Sequence, residues 1–137
     1  MHCDRPNPPP PMRSLADMGT GTIHFRLPRG VPLPAGLSCT IVSFEPSART
    51  HWHIHPLGQR LFVTAGCGWM QCEGEPIVAM HPGDMVCIAR NRKHWHGASP
   101  WTSVRLIALH KEHDSKCVDW LKPVTDEQYY ARPSLDI

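Results

Sequence analysis

The chain contains no run of eighteen apolar residues and no block of like charges. The first lack argues against a membrane-spanning helix, the second against the electrostatic footprint of a nucleic-acid or anionic-membrane binder. Its 14 basic and 12 acidic side chains leave a formal charge of only +2 with histidine neutral. Also missing is any CxxC pair among Cys3, Cys39, Cys67, Cys72, Cys87 and Cys117, so the usual thiolate metal and redox motifs are absent. The N-terminal residues lack the basic and then apolar layout of a secretion signal. Free, mostly buried thiols are therefore expected in place of a disulfide framework, in a soluble cytoplasmic protein.

What is present is turn chemistry. Fifteen prolines and ten glycines in 137 residues suit one turn-rich β domain better than a helical one, and the length closes one core, not two. Residues 1–17 hold Pro6 and the run Pro8-Pro9-Pro10-Pro11, which favours polyproline II and cannot join the middle of a sheet. This part is read as an extended arm. Alternating or β-branched segments then predict strands over Gly19–Leu27, Cys39–Glu45, the histidine-rich stretch near 51–55, Gln59–Ala65, Trp69–Cys72, Ile77–Met80, Met85–Ala89, His94–His96 and Ser103–His110. In Gln59–Ala65, the residues Gln59, Leu61, Val63 and Ala65 should share a face. His81-Pro82-Gly83-Asp84 has the pattern of a type II turn. Short, evenly spaced strands mean a sandwich or barrel over residues 18–113. Residues 114–137 are expected to form a helical tail packed on it, with one helix over Asp114–Lys122 and another opened by the capping box Thr125-Asp126-Glu127-Gln128.

The chemistry concentrates in His51-Trp52-His53-Ile54-His55, followed by Gln59, and again in His94-Trp95-His96. In an extended chain, residues two apart point the same way about 7 Å apart, near enough for imidazoles to converge on one ion. A helix would scatter them. If the His94 strand lies beside the first, His53, His55, Gln59 and His94 form one site of three imidazoles and an amide oxygen. Such a set leaves positions open on a five- or six-coordinate metal, the mark of a catalytic centre, and suits Mn, Fe, Ni, Co or Zn.

These residues resemble the two cupin motifs. Ser47, His53, His55, Gln59 and Gly66 stand where the first has Gly, His, His, Glu and Gly, and Gly83 to His94 follows the second after sixteen intervening residues. Ala89, Asn91 and Ala98 depart from the usual Pro, Gly and Asn, and Asn91 is a mild change because Asn tolerates a left-handed backbone. More narrowly, Phe44-Glu45-Pro46, Ala48-Arg49-Thr50, His53-x-His55-Pro56-Leu57-Gly58-Gln59, Val63 to Trp69, His94 to Ala98, Val118-Asp119-Trp120 and Val124 to Tyr129 are similar to small bacterial cupins of hydroxynitrile-lyase type.

That resemblance implies an all-β, single-domain cupin, a double-stranded β-helix or jelly-roll barrel with a short helical C-terminal tail. It makes His53, His55, Gln59 and His94 ligands of what is usually manganese, and puts His96 with positions 40, 42, 106 and 110 around the open face. Three departures bear on substrate. Leu106 stands where the lyases have histidine, His110 where glutamine is common, and His51 where a small residue is usual. His96, which shares the inward face with His94, is the first choice for general acid or base, His110 the second, and His51 a proton carrier at the barrel mouth. Thr40, Val42, Leu61, Leu106 and Ala108 are expected to line the substrate pocket, and Trp52 and Trp95, pointing the other way, to serve packing.

The activity implied is metal-dependent cleavage of a small molecule, cyanohydrin cleavage or synthesis in the family-typical case. The alternatives are a Mn or Fe dioxygenase and a non-catalytic metal or small-molecule binding cupin. A homodimer or homotetramer is expected, with no nucleic-acid or membrane partner.

Overall fold

The computed structural model describes residues 18–30, 33–111 and 118–131. Among these residues twelve strands and one short helix follow in order: β1 Gly19–Thr20, β2 Ile23–Arg26, β3 Leu37–Phe44, β4 Arg49–Thr50, β5 His53–Ile54, β6 Gln59–Gly66, β7 Gly68–Cys72, β8 Val78–Met80, β9 Met85–Ile88, β10 His94–Ala98, β11 Val104–Lys111, β12 Asp119–Trp120 and α1 Asp126–Tyr129. They build two antiparallel sheets. One runs β1-β4-β10-β5-β12, with β7 also paired to β10 and β8 to β7, and the other runs β2-β3-β11-β6-β9. This is a jelly-roll sandwich, as expected.

The strand foreseen over Gly19–Leu27 is broken in two. Gly21 adopts φ 84°, and a Cβ there would press on Ala48 at 2.9 Å, so only glycine fits. β1 consequently joins the first sheet and β2 the second, a corner where the chain switches layers. The His81–Asp84 turn has the foreseen form: Gly83 sits at φ 92° and the Asp84 N–H donates to the His81 carbonyl at 3.0 Å. Ser47 and Asn91, both standing where a cupin motif commonly has glycine, take φ 70° and 60°. The left-handed backbone is thus kept although glycine is not.

Between the sheets lies one apolar cluster that includes Val42, Phe44, Leu61, Val63, Met70, Met80, Val104, Leu106 and Ala108. Period-two alternation explains its membership: along β6, Gln59, Leu61 and Val63 are buried while Arg60 and Thr64 face water. Each large side chain so buried contributes roughly 1.5–3 kcal/mol. Ala65, expected on the same face, is exposed. The register shifts between Arg105 and Leu106, so Val63 pairs with Leu106 while Ala65 pairs with Arg105. The extra residue is a β-bulge, and a bulge slips the alternation by one.

A second cluster covers the outer face of the seven-stranded sheet: Trp52, Trp69, Ile77, Trp95, Val124 and Tyr129. Trp52 and Trp95 therefore pack away from the histidines, as their positions implied. Residues 118–131 lie against this sheet, but not as the expected pair of helices. Within Asp114–Lys122 the described residues contain strand β12, paired with β5 in the register Asp119↔Ile54 and Trp120↔His53. Main-chain pairing with an open sheet edge has overridden a weak helical pattern. The second helix is real. The Thr125 hydroxyl accepts the Gln128 N–H and the Gln128 side chain accepts the Thr125 N–H, a complete capping box. Arg49 holds this end through the Val124 carbonyl at 2.9 Å and Asp126 at 2.8 Å, its guanidinium 4.4 Å from the Tyr129 ring centre.

Cys39, Cys67 and Cys72 are half-buried free thiols and Cys87 is exposed, while Cys3, Cys117 and the arm at 1–17 lie outside the described residues. Burial pushes the thiols of Cys39, Cys67 and Cys72 above their ordinary range, which keeps them protonated and unreactive. Among the described residues no helix is long and apolar enough to cross a membrane.

Candidate metal centre

The centre is assembled where β5 meets β10, in the register His53↔His94. All five residues of β10 are buried, and alternation turns His94 and His96 inward and Trp95 outward. Five imidazoles crowd together. The His53 ring lies 4.2 Å from that of His94, 5.1 Å from His55 and 5.3 Å from His96. His55 is 5.7 Å from His94 and stacks on His110 at 4.7 Å.

Two of these rings are aimed by the same local device. His53 Nδ1 donates to the carbonyl of His51 and His94 Nδ1 to the carbonyl of Arg92, each at 2.8 Å. In both cases the carbonyl belongs to the residue two places earlier. A carbonyl oxygen only accepts, so Nδ1 carries the proton and each neutral ring turns the Nε2 lone pair inward. Such a second hydrogen bond is what fixes a metal-ligating histidine.

Both rings are neutral. Burial pulls the His94 pKa down to about 4. His53 and His96 are held well below the usual histidine value, first by burial and then by the neighbouring imidazoles. The inward lone pairs then have too few donors to meet them. His53 Nε2 and His96 Nδ1 are buried without a hydrogen-bond partner, and His94 Nε2 lies 3.0 Å from Gln59 Oε1, an acceptor facing an acceptor. A shared cation relieves this arrangement; without one, half a turn of the amide presents its NH₂ instead. Ligating atoms of His53, His94 and His96 lie within 4.8 Å of one another, a spacing that could hold an ion. Neutral, buried nitrogen donors with an amide oxygen fit a borderline divalent ion.

The five-stranded sheet brings the remaining residues alongside. Gln59 pairs with His110 across β6 and β11, and His110 with Ser38 across β11 and β3. The next row inward is Thr40, Ala108 and Leu61, and the one beyond it Val42, Leu106 and Val63. Val42, Leu61, Leu106 and Ala108 are buried and Thr40 half-buried, so they form a continuous apolar face leading away from Gln59. His51, expected at the barrel mouth, is buried. Its N–H donates to the Met18 carbonyl at 2.8 Å and its own carbonyl aims His53. His24 and His81 are exposed.

Two residues escaped the sequence reading. The Thr50 hydroxyl accepts the His96 N–H at 3.1 Å and lies 3.4 Å from His53 Nδ1. Trp120 packs its indole 4.8 Å from the His53 ring. Alternation from His94 and His96 onto the neighbouring strand could have pointed to Thr50. Nothing local marks Trp120, because its strand partner is far along the chain.

Residues 40–110 match the Cupin domain family. The chain is 51% identical over 114 residues to an (R)-mandelonitrile lyase from Granulicella tundricola, covering 83% of this chain and 87% of that one. It superposes on a cupin-like protein from Thermotoga maritima with a TM-score of 0.75 at 37% identity, covering 83% and 86% of the two chains. A polyketide cyclase from Streptomyces resistomycificus gives a TM-score of 0.61 at 17% identity over 78% and 75%, a likeness of fold alone. With the two-sheet architecture, the motif residues in place and the inward-facing histidines, the chain belongs to the cupin family.

Proposed function

We propose that this cupin is a metal-dependent lyase of hydroxynitrile-lyase type, splitting a cyanohydrin into an aldehyde and hydrogen cyanide or joining them. The observation that carries the reading is the set of buried, neutral, inward-aimed imidazoles lying at one end of an apolar wall, in a chain 51% identical to a mandelonitrile lyase. His53, His55, Gln59 and His94 would hold a divalent cation, Mn(II) foremost, with Fe, Ni, Co or Zn as substitutes. Once bound, such an ion supplies Lewis-acid polarisation of a substrate oxygen or anchors the departing anion.

The chain's own part is binding and proton transfer. Thr40, Val42, Leu61, Leu106 and Ala108 seat the organic group and keep water from it. His96 takes the hydroxyl proton as the carbon–cyanide bond breaks and its electron pair leaves with cyanide. The same proton then passes to cyanide, releasing hydrogen cyanide and the aldehyde. The depressed His96 pKa keeps the ring neutral and able to accept. His110, beside Gln59, is the second candidate for this role, and His51 is at most a proton carrier.

One observation favours a variant. His96 reaches ligating distance of His53 and His94, so His96 itself would complete the donor set and His110 would move the proton. Replacement of His96 by alanine separates the two: metal content stays and turnover falls in the first, metal content falls in the second.

The deciding measurement is release of cyanide and benzaldehyde from mandelonitrile by Mn(II)-loaded protein, against free Mn(II) and against His53→Ala. Release no faster than free Mn(II) would end the lyase reading. Oxygen uptake with an enediol or flavonol would put a dioxygenase in its place, and a bound ligand without turnover a binding module. The protein is also proposed to act in the cytoplasm as a homodimer or homotetramer, with the edge strands β2 and β9 available for a second copy.

A further inference from the structure

We infer that the C-terminal segment 118–131 is a strap that orients the centre, and that Trp120 is the positioning residue through which it acts on His53. This rests on the reading of His53 as a ligand. The strand carrying His53 is only two residues long, and its pairing with β10 has a single register pair, His94↔His53. So short an element does not hold its own geometry.

β12 supplies the missing side. The Leu121 N–H donates to the Trp52 carbonyl at 2.8 Å and the Trp52 N–H to the Lys122 carbonyl at 3.0 Å. Both bonds lie on the Trp52 side of the pair Trp120↔His53 and hold that pair in register. Directly opposed residues project to the same face, which lays the indole against the imidazole at 4.8 Å and 41°. Among the described residues, the rings of His55, His94 and His96 also pack on His53. Each of those carries a lone pair of its own to direct, so the indole is the neighbour that confines the ring without competing for a cation. His53 is 1% exposed, and Trp120, the indole packed on it, is half-buried.

The strap is fastened at its far end by different means. Arg49 binds the Val124 carbonyl and Asp126, and the Tyr129 hydroxyl donates to the Ala98 carbonyl of β10. One end thus grips the strand that bears His94 and His96, and the other presses on His53. Relative placement of the three rings is set across the segment as a whole.

Three variants of the full-length protein test this: Trp120→Ala, Trp120→Leu and Trp120→Phe. The readouts are the Mn(II) dissociation constant and, in metal-free protein, the solvent exchange rate of the His53 Nδ1 proton by NMR. Trp120→Ala is expected to weaken Mn(II) binding about 10- to 100-fold, the range for loss of a residue that orients a ligand, and to speed Nδ1 exchange at least tenfold. Trp120→Phe keeps a ring and should stay within about threefold of the parent in both. If Trp120→Ala does not fold, Trp120→Leu decides, since it keeps apolar bulk without a ring: faster Nδ1 exchange supports the inference and parental exchange overturns it. Parental Mn(II) affinity and exchange in a folded Trp120→Ala protein overturn it too. Should the parent take up no Mn(II), the ligand reading fails, while the exchange measurement still judges the strap.

Discussion

Gln59 and His94 meet across the interior of the sandwich, Oε1 to Nε2 at 3.0 Å, although 35 positions separate them in the chain. With the His94 Nδ1 proton committed to the Arg92 carbonyl, both atoms are acceptors. Gln59→Ala should therefore weaken Mn(II) binding by at least tenfold with little loss of fold. Gln59→Glu should bind Mn(II) as well or better, since a carboxylate oxygen replaces an amide oxygen. Isothermal titration of the metal-free protein decides it.

The histidines make the metal-free protein sensitive to acid. Their pKa values are lowered on folding, to about 4 for His94 and well below the ordinary value for His53 and His96. The unfolded chain then binds more protons than the native one below pH 6.5 or so. Stability is thus fully present above that pH and falls as pH drops toward 4, by up to ~1.4 kcal/mol per pH unit for each such histidine. Urea unfolding at a series of pH values should show this slope, and saturating Mn(II) should reduce it.

Arg49 and Asp126 form an ion pair of unequal partners, since Arg49 is 4% exposed and Asp126 81%. Asp126→Ala should cost less than about 1 kcal/mol, because an exposed carboxylate is screened. Arg49→Ala also strips the Val124 carbonyl of a charged donor and leaves the Tyr129 ring uncovered, so a loss of about 2–3 kcal/mol is expected. Denaturant midpoints of the two variants give the comparison.

Asn91 holds φ 60° while its N–H donates to the His55 carbonyl at 3.1 Å. Asn91→Ala should destabilise by about 1 kcal/mol, as a Cβ residue without a polar side chain pays for that backbone. Asn91→Gly should be neutral or better. Thermal unfolding of both, with metal content as a second readout, tests whether the turn also steadies His55.

Much of the fold was legible because β alternation and turn chemistry are local. Leu61 and Val63, His94 and His96, and the Pro82-Gly83 turn all announced themselves through spacing. The departures arose where a distant partner decides. Ala65 is turned outward by a register shift against Arg105 and Leu106, and Asp119–Trp120 is drawn into a strand by β5, far earlier in the chain. The same holds within the site. Adjacent pairs such as His53 and His55 could be read from the sequence. The nearness of His110 to Gln59, of Thr50 to His96 and of Trp120 to His53 depends on which strands become neighbours.

The carbonyls that aim His53 and His94 come from His51 and Arg92, two residues before each ring. Orientation of the centre is thus written in the course of the main chain, and side chains at 51 and 92 are spared that duty. A substitution at position 51 or 92 that keeps the course of the backbone leaves both carbonyls aimed at their rings. What faces the apolar wall and what aims the imidazoles are thus set by separate parts of the chain.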